Sequence, residues 1–152
     1  MKKFIAYGVG VLFAGMSIVG CAKTEDVGPP EIRLGQDTCQ ACGMIIEDER
    51  YAAAVVTRSG DVVEKRAFDD IGEMLEFKTP SGATVVHRYV RDAGTKQWLD
   101  ADKATFVKLR DLTTPMGSGI AAYADSQGAE SAIRAHGGEL VSVAAASDKS
   151  PG

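Results

Sequence analysis

Two cysteines and a methionine lie close together in the run Cys39-Gln40-Ala41-Cys42-Gly43-Met44. A Cys-x-x-Cys spacing can direct both sulfur atoms at one point, and Gly43 keeps the backbone before Met44 free of Cβ bulk. Thiolates and thioethers are soft donors that favour Cu(I) over Mg²⁺ or Ca²⁺. Zinc accepts thiolates readily but thioethers seldom, so Met44 favours copper. The run is therefore a candidate copper site.

Three other interpretations of the Cys39–Cys42 pair stay open from the residues alone. The two thiols would form a disulfide in an oxidising compartment, act as a thioredoxin-like redox pair, or supply half of a zinc site. A redox pair is expected at the start of a helix, whereas the residues after Met44 do not predict a long helix. A zinc site needs two further ligands, and neither His87 nor His136 lies near a second one in the sequence.

Met116 is a second candidate soft ligand, in a loop of the sequence Thr-Thr-Pro-Met-Gly-Ser-Gly. This loop has no apolar periodicity, so Met116 is either a ligand on a glycine-flanked loop or a residue that fills a gap in the packing. Met74 differs because it lies at helical spacing from Ile71, which predicts a core position.

Other polar residues have simpler structural interpretations. His136 lies on the predicted apolar face of a helix, where nearby carbonyl groups at the helix end would hold it. Asp69 and Asp70 resemble an acid–base pair, but capping of the helix that follows explains them more simply. The sequence has neither a Ser-His-Asp signature nor a glycine-rich phosphate loop after a strand. These absences argue against triad hydrolysis and phosphate-loop chemistry.

The first 20 residues read as a lipoprotein signal peptide. Lys2 and Lys3 precede an apolar, uncharged stretch at residues 4–19, which is short and interrupted by glycines. The stretch ends in Ile18-Val19-Gly20-Cys21, which resembles a bacterial lipobox. That resemblance implies that acyl chains such as palmitate on Cys21 anchor the chain to a membrane. An ordinary signal peptide that happens to be cleaved near a cysteine is the alternative. Ala22, in place of an aspartate, slightly favours the outer membrane, facing the periplasm, over the inner one.

Composition excludes several classes of protein. The 152 residues carry a net charge of −4, are 45% hydrophobic and are 25% charged, which fits one small soluble body. The acidic balance argues against a nucleic-acid partner. No second long apolar run follows the signal peptide, so the sequence does not predict a polytopic membrane protein.

The body predicts an α+β fold of two tandem ββαβ units packed together. Turn residues at Ser59-Gly60-Asp61 join two β-rich runs into a hairpin, and helix-capping aspartates follow the second strand of each unit. The predicted strands are residues 51–57, 62–68 and 83–90 in the first unit, and 104–109, 120–123 and 140–143 in the second. The second helix is predicted to be capped by Asp125 or Ser126 and to end at Gly137-Gly138. The predicted segments are a signal peptide at 1–20, a lipidated tether at 21–36, units at 37–94 and 95–143, and a flexible tail at 144–152.

Several motifs in this order resemble the NosL family. They are the lipobox, Cys39-x-x-Cys42-Gly43-Met44, Phe68-Asp69-Asp70-Ile71-Gly72, Tyr89-Val90-x-Asp92, Thr114-Pro115-Met116-Gly117-Ser118-Gly119 and Gly137-Gly138. The likeness runs from about residue 37 to residue 143. Members of the family are periplasmic lipoproteins that bind Cu(I) and take part in assembling the copper centres of nitrous oxide reductase. Their fold is two ββαβ units, related to part of the organomercurial lyase fold.

The resemblance implies a set of ligands and a role. Cys42 and Met44 match the family's Cys-x-Met, and Met116 matches its Met-Gly loop. Cys39 matches only members with a full Cys-x-x-Cys, and His136 is a further candidate ligand. The expected function is a membrane-tethered periplasmic Cu(I) chaperone, rather than an enzyme, that delivers copper to a client, nitrous oxide reductase being the expected client. The alternative is a thiol-disulfide oxidoreductase that uses Cys39 and Cys42. Because the candidate ligands are far apart in sequence, the site would bridge the two units or two copies of the chain in a homodimer.

Overall fold

The computed structural model describes residues 25–142, and the predicted signal peptide, Cys21 and the tail at 144–152 lie outside them. Two helices and seven strands form in this part of the chain. In chain order they are β1 (Ala53–Ser59), β2 (Val62–Phe68), α1 (Ile71–Glu76), β3 (Thr84–Arg91), β4 (Trp98–Asp100), β5 (Thr105–Leu109), β6 (Ile120–Tyr123), α2 (Ser126–His136) and β7 (Gly138–Val141). A single 3₁₀ turn, Glu49–Tyr51, precedes β1.

The strands form two antiparallel sheets that repeat one topology. The first sheet has the order β2-β1-β3-β4 and the second has the order β6-β5-β7. In each unit the opening strand is central, its hairpin partner lies on one side, and the strand after the helix lies on the other. The predicted α+β fold and its ββαβ order are confirmed, and β4 is an addition that the sequence did not predict.

Aspartates set the start of both helices. Asp70 caps α1 by accepting a hydrogen bond from the Gly72 N–H at 2.7 Å. Asp125, rather than Ser126, caps α2 by accepting from the Gly128 N–H at 2.8 Å. Gly137 ends α2 with a φ of 65°, which favours glycine. The last strand begins directly afterwards, so its predicted start at residue 140 was two residues late.

The two units share their cores. Phe106 and Ala122, from the second unit, pack in the cluster that holds the first sheet and α1. Tyr51, which precedes the first sheet, packs in the cluster beneath α2. The units are also joined by hydrogen bonds, because Asp92 after β3 accepts from the Ala124 N–H at 2.7 Å. Packing of each unit on the other enlarges a core that would be small for either alone.

Residues 25–27, which belong to the predicted tether, contact all three long strands of the first sheet. Glu25 forms an ion pair with Arg58 of β1, and Asp26 forms one with Lys65 of β2 at 2.7 Å. The Tyr89 hydroxyl of β3 donates to the carbonyl oxygen of Val27 at 3.1 Å. Among the described residues, neither helix is long and apolar enough to cross a membrane.

Candidate metal centre

The cysteine loop is a small closed hairpin. Thr38 and Ile45 form an antiparallel bridge at its base. Inside it the Cys39 N–H donates to the Met44 carbonyl at 2.8 Å, and the Gly43 N–H donates back to the Cys39 carbonyl at 3.0 Å. Gly43 has a φ of 73°, a left-handed conformation that other residues adopt at a cost. The sequence Cys-Gly-Met therefore folds into a turn in which Cys39 is buried and Met44 is exposed.

The two cysteines meet two carboxylates from the start of α1. The loop docks on the end of β2, where the Gln40 N–H donates to the Ala67 carbonyl at 2.8 Å. Cys39 Sγ lies 2.9 Å from Glu73 Oε2, and Cys42 Sγ lies 3.7 and 3.8 Å from the two oxygens of Asp69. One donor atom from each of the four residues lies within 4.8 Å of all the others. Both thiols are free, so this arrangement can close around a metal ion.

Burial opposes ionisation of two of these four groups, Cys39 and Glu73. It raises the pKa of the Cys39 thiol to about 12, and the hydrogen bond to Glu73 acts in the same direction. Burial also raises the pKa of Glu73, and the neighbouring Asp69 carboxylate adds to this effect. Because metals bind thiolates rather than thiols, an ion held by Cys39 would have to displace its proton.

The loop that carries Met116 is fixed to the start of α1 by Asp70. The Oδ2 atom of Asp70 accepts from the Thr114 hydroxyl at 2.6 Å and from the Met116 N–H at 3.0 Å. Burial alone would raise the pKa of Asp70, but hydrogen bonds from Ser118, Thr114 and the backbone hold it below its usual range. The methionine loop is therefore attached to the residue next to Asp69.

Close packing completes this contact between the units. Gly72, in the first turn of α1, lies so near Ser118 that a Cβ atom at position 72 would be 2.6 Å from the serine Cβ. The glycine in the Phe-Asp-Asp-Ile-Gly motif thus allows the methionine loop to reach the helix.

The remaining candidate ligands occupy different environments. Met44 and Met116 are 50% and 44% exposed, so both residues lie at the surface. Met74 is buried in the core, as predicted. His136 is exposed at the end of α2, so its predicted place on an apolar face was wrong, and it does not belong to the four-residue cluster.

The NosL family model matches residues 32–150 of this chain. The chain belongs to the NosL family. The copper-binding lipoprotein NosL of Stutzerimonas stutzeri is 29% identical over 153 residues, which cover 88% of this chain and 77% of that protein. The crystal structure of the copper chaperone NosL from Shewanella denitrificans is 22% identical, with a TM-score of 0.64 over 77% of this chain and 93% of that one. This second likeness supports the NosL fold of the chain.

Two residues beside the cysteines of this NosL-family chain were missed as site residues in the sequence analysis. Asp69 and Asp70 were both interpreted as capping residues, but only Asp70 caps α1, and Asp69 faces Cys42. Glu73 was not singled out. A signal was present, because these two carboxylates flank the predicted start of the helix, one just before it and one in its first turn.

Proposed function

We propose that this chain is a membrane-tethered periplasmic Cu(I) chaperone that delivers copper to a client enzyme. The observation that carries the proposal is the convergence of two free thiols, Cys39 and Cys42, on a loop that also presents the exposed Met44. The loop that presents the exposed Met116 is fixed to the helix start beside them. Soft donors of this kind favour Cu(I) over harder ions. The names of the two relatives, a copper-binding lipoprotein and a copper chaperone, support the same role.

Each ligand has a distinct part in the proposed site. Cys42, half-buried and next to the exposed loop tip, receives the ion together with Cys39. Glu73, in contact with the Cys39 sulfur, is in position to take up the displaced proton and pass it on to solvent. Met44 and Met116 complete the soft donor set, whereas His136, exposed at the end of α2, is the weakest candidate.

Delivery follows from the weaker binding of the thioethers. A neutral thioether is a poorer donor than a thiolate, so Met116 is the ligand that a client displaces first. The two positive-φ glycines that follow it, Gly117 and Gly119, shape a loop that reaches the surface. The proposed client is a copper enzyme, and by family resemblance this is nitrous oxide reductase during its maturation.

The proposed anchor is a lipid on Cys21, which holds the body at the periplasmic side of a membrane, preferably the outer one. Replacing Cys21 with Ser is expected to move the protein from the membrane fraction to the soluble fraction. A Cys21→Ser protein that stays membrane-bound with an uncleaved N-terminal segment would contradict the lipid anchor.

The buried position of Cys39 weighs against the thiol-disulfide oxidoreductase alternative. Redox Cys-x-x-Cys pairs use an accessible thiol with a lowered pKa. Here burial raises the pKa of Cys39 to about 12, and no helix starts at the pair.

The deciding experiment is an anaerobic Cu(I) titration of the reduced protein in competition with a chelator. We expect stoichiometric binding that Cys42→Ser abolishes. Disulfide turnover assays with the same samples should show no catalysis. Undiminished copper binding by the oxidised, disulfide-bonded form would remove the cysteines from the site.

A further inference from the structure

The residues that follow the proposed lipid anchor lie on one face of the first sheet. Successive side chains of a strand point to opposite faces. Ala53 and Val55 of β1 pack in the same core cluster as Cys39, so we call their side of the sheet the inner face. Ala54 and Val56 point to the other side, which we call the outer face. Both are fully buried, so the accessible part of this face consists of the longer side chains on the neighbouring strands.

Strand pairing places the contacts of residues 25–27 on the outer face. Lys65 of β2 is the partner of Val56, and Tyr89 of β3 is the partner of Ala54. Paired residues share a face, so the side chains that hold Asp26 and Val27 both lie on the outer face. The cysteine loop and α1 pack on the inner face, so the metal centre and the N-terminal segment are on opposite sides of the sheet.

The chain between the anchor and this segment is short. Glu25 is four residues after Cys21, and four fully extended residues span at most about 14 Å. With Cys21 acylated, as the proposed function requires, Glu25 and the part of the outer face that it contacts stay within this distance of the Cys21 backbone. The tether therefore joins the body on the outer face, opposite the cysteines.

The outer face carries the side chains that suit a lipid headgroup layer. Tyr89 forms ring contacts with His87 at 5.6 Å and with Trp98 at 6.4 Å between centroids. Arg91 stacks over Trp98 at 4.1 Å. All four side chains are partly exposed. Aromatic rings with a polar end are enriched where membranes meet water, because one part is apolar and the other is hydrated.

We propose that the outer face of the first sheet rests on the lipid headgroups, so that the metal centre faces the periplasmic space and its client. The short tether and the aromatic cluster around Trp98 favour a lipid surface as the occupant of this face. Proteins that receive copper then approach from the opposite side.

The single tryptophan of the chain makes this orientation measurable. Full-length lipidated protein is placed in vesicles of phosphatidylethanolamine and phosphatidylglycerol that contain a nitroxide-labelled headgroup lipid. We expect the fluorescence of Trp98 to be several-fold weaker in these vesicles than in vesicles without the nitroxide. The matched reporter is a Trp98→Phe, Glu76→Trp double variant, which moves the indole to an exposed position on α1. Its fluorescence should change little.

The outcomes separate this proposal from the proposed function. The orientation is overturned if, with both proteins bound to vesicles, the indole at position 76 of the double variant is quenched as much as or more than Trp98 of the wild type. That result leaves the copper chaperone role intact. If the full-length protein purified from membranes does not bind vesicles at all, the anchor and the orientation are overturned together.

Discussion

Asp70 and Met116 are 46 residues apart in sequence, yet the Asp70 carboxylate accepts a hydrogen bond from the Met116 N–H at 3.0 Å. One aspartate of the first unit thus caps α1 and holds the methionine loop of the second unit. Because its neighbour Asp69 faces Cys42, this bond fixes the methionine loop near the Cys42 thiol.

Replacing Asp70 with Asn should destabilise the fold by about 1–3 kcal/mol, because a buried charged acceptor is lost. The matched control is Asp125→Asn at the exposed cap of α2, where asparagine caps nearly as well and little change is expected. Urea unfolding of both variants measures the difference. Equal stability losses would show that the Asp70 loop contacts contribute nothing.

Asp70 should also contribute to the fall in the free energy of unfolding at acid pH. Its folded-state pKa is depressed by its hydrogen bonds, so its contribution is present above the unfolded-state pKa near 3.8 and is lost as the pH falls below it. Urea unfolding between about pH 6 and 3 should therefore show a shallower decline for Asp70→Asn than for the wild type. Parallel declines would contradict this assignment.

Replacing Met116 with Leu should keep the fold and weaken Cu(I) binding. Leucine is apolar and close in size, so the swap usually costs less than about 1.5 kcal/mol of stability, but it removes the sulfur donor. Met74→Leu is the control, because Met74 is 1% exposed in the core. Chelator competition should give a lower affinity for Met116→Leu only. Equal affinities of Met116→Leu and the wild type would confine the site to the cysteine loop.

Copper affinity should rise with pH. The Cys39 thiol, whose pKa is raised to about 12, is protonated at neutral pH and must lose its proton to bind. Over roughly pH 6 to 9 the Cu(I) affinity should therefore change about tenfold per pH unit for that proton. Cys39→Ser should reduce the slope of log affinity against pH by about one. A slope that this substitution leaves unchanged would exclude Cys39 thiolate as a ligand.

Cys42 should be alkylated before Cys39 in the copper-free reduced protein. Cys39 is 3% exposed and its pKa is raised, whereas Cys42 is only half-buried. Mass spectrometry after brief iodoacetamide treatment should show Cys42 modified at least about ten times faster. Similar rates, or faster labelling of Cys39, would mean that the cysteine loop opens more readily than the structure indicates.

Gly72→Ala should push the two units apart at the methionine loop. The added Cβ atom would lie 2.6 Å from the Ser118 Cβ, and overpacking of this kind costs about 1–3 kcal/mol. Adding Ser118→Gly removes the obstructing atom and should recover part of the stability in thermal unfolding. A Gly72→Ala protein as stable as the wild type would show that the loop moves aside freely.

The order of elements could be predicted because local signals mark it. Turn residues separate the paired strands, and Asp70 and Asp125 mark the helix starts. The strand β4 could not be predicted, since its three residues show no alternation and it forms only because β3 offers an edge. The start of β7 was misplaced because Gly138 pairs so closely with β5 that a Cβ atom there would lie 2.2 Å from the Lys108 carbonyl oxygen.

Donor chemistry in the sequence was enough to propose the sulfur ligands but not their surroundings. Cys39, Cys42 and Met44 are close in sequence, so their proximity is local. Asp69 and Glu73 join them only through the docking of the cysteine loop on the end of β2, which periodicity does not reveal. The exposure of His136 likewise depends on how α2 packs on the second sheet.

The candidate centre is assembled from distant parts of the chain, with Cys39 and Glu73 34 residues apart and Cys42 and Asp69 27 residues apart. An unfolded chain lacks this arrangement, so an ion that binds there binds the native state preferentially. By mass action, free copper at 100 times its dissociation constant would add about 2.7 kcal/mol to the free energy of unfolding. A loaded chaperone would then resist proteolysis better than one that has released its cargo, and the lifetime of each molecule would depend on its copper.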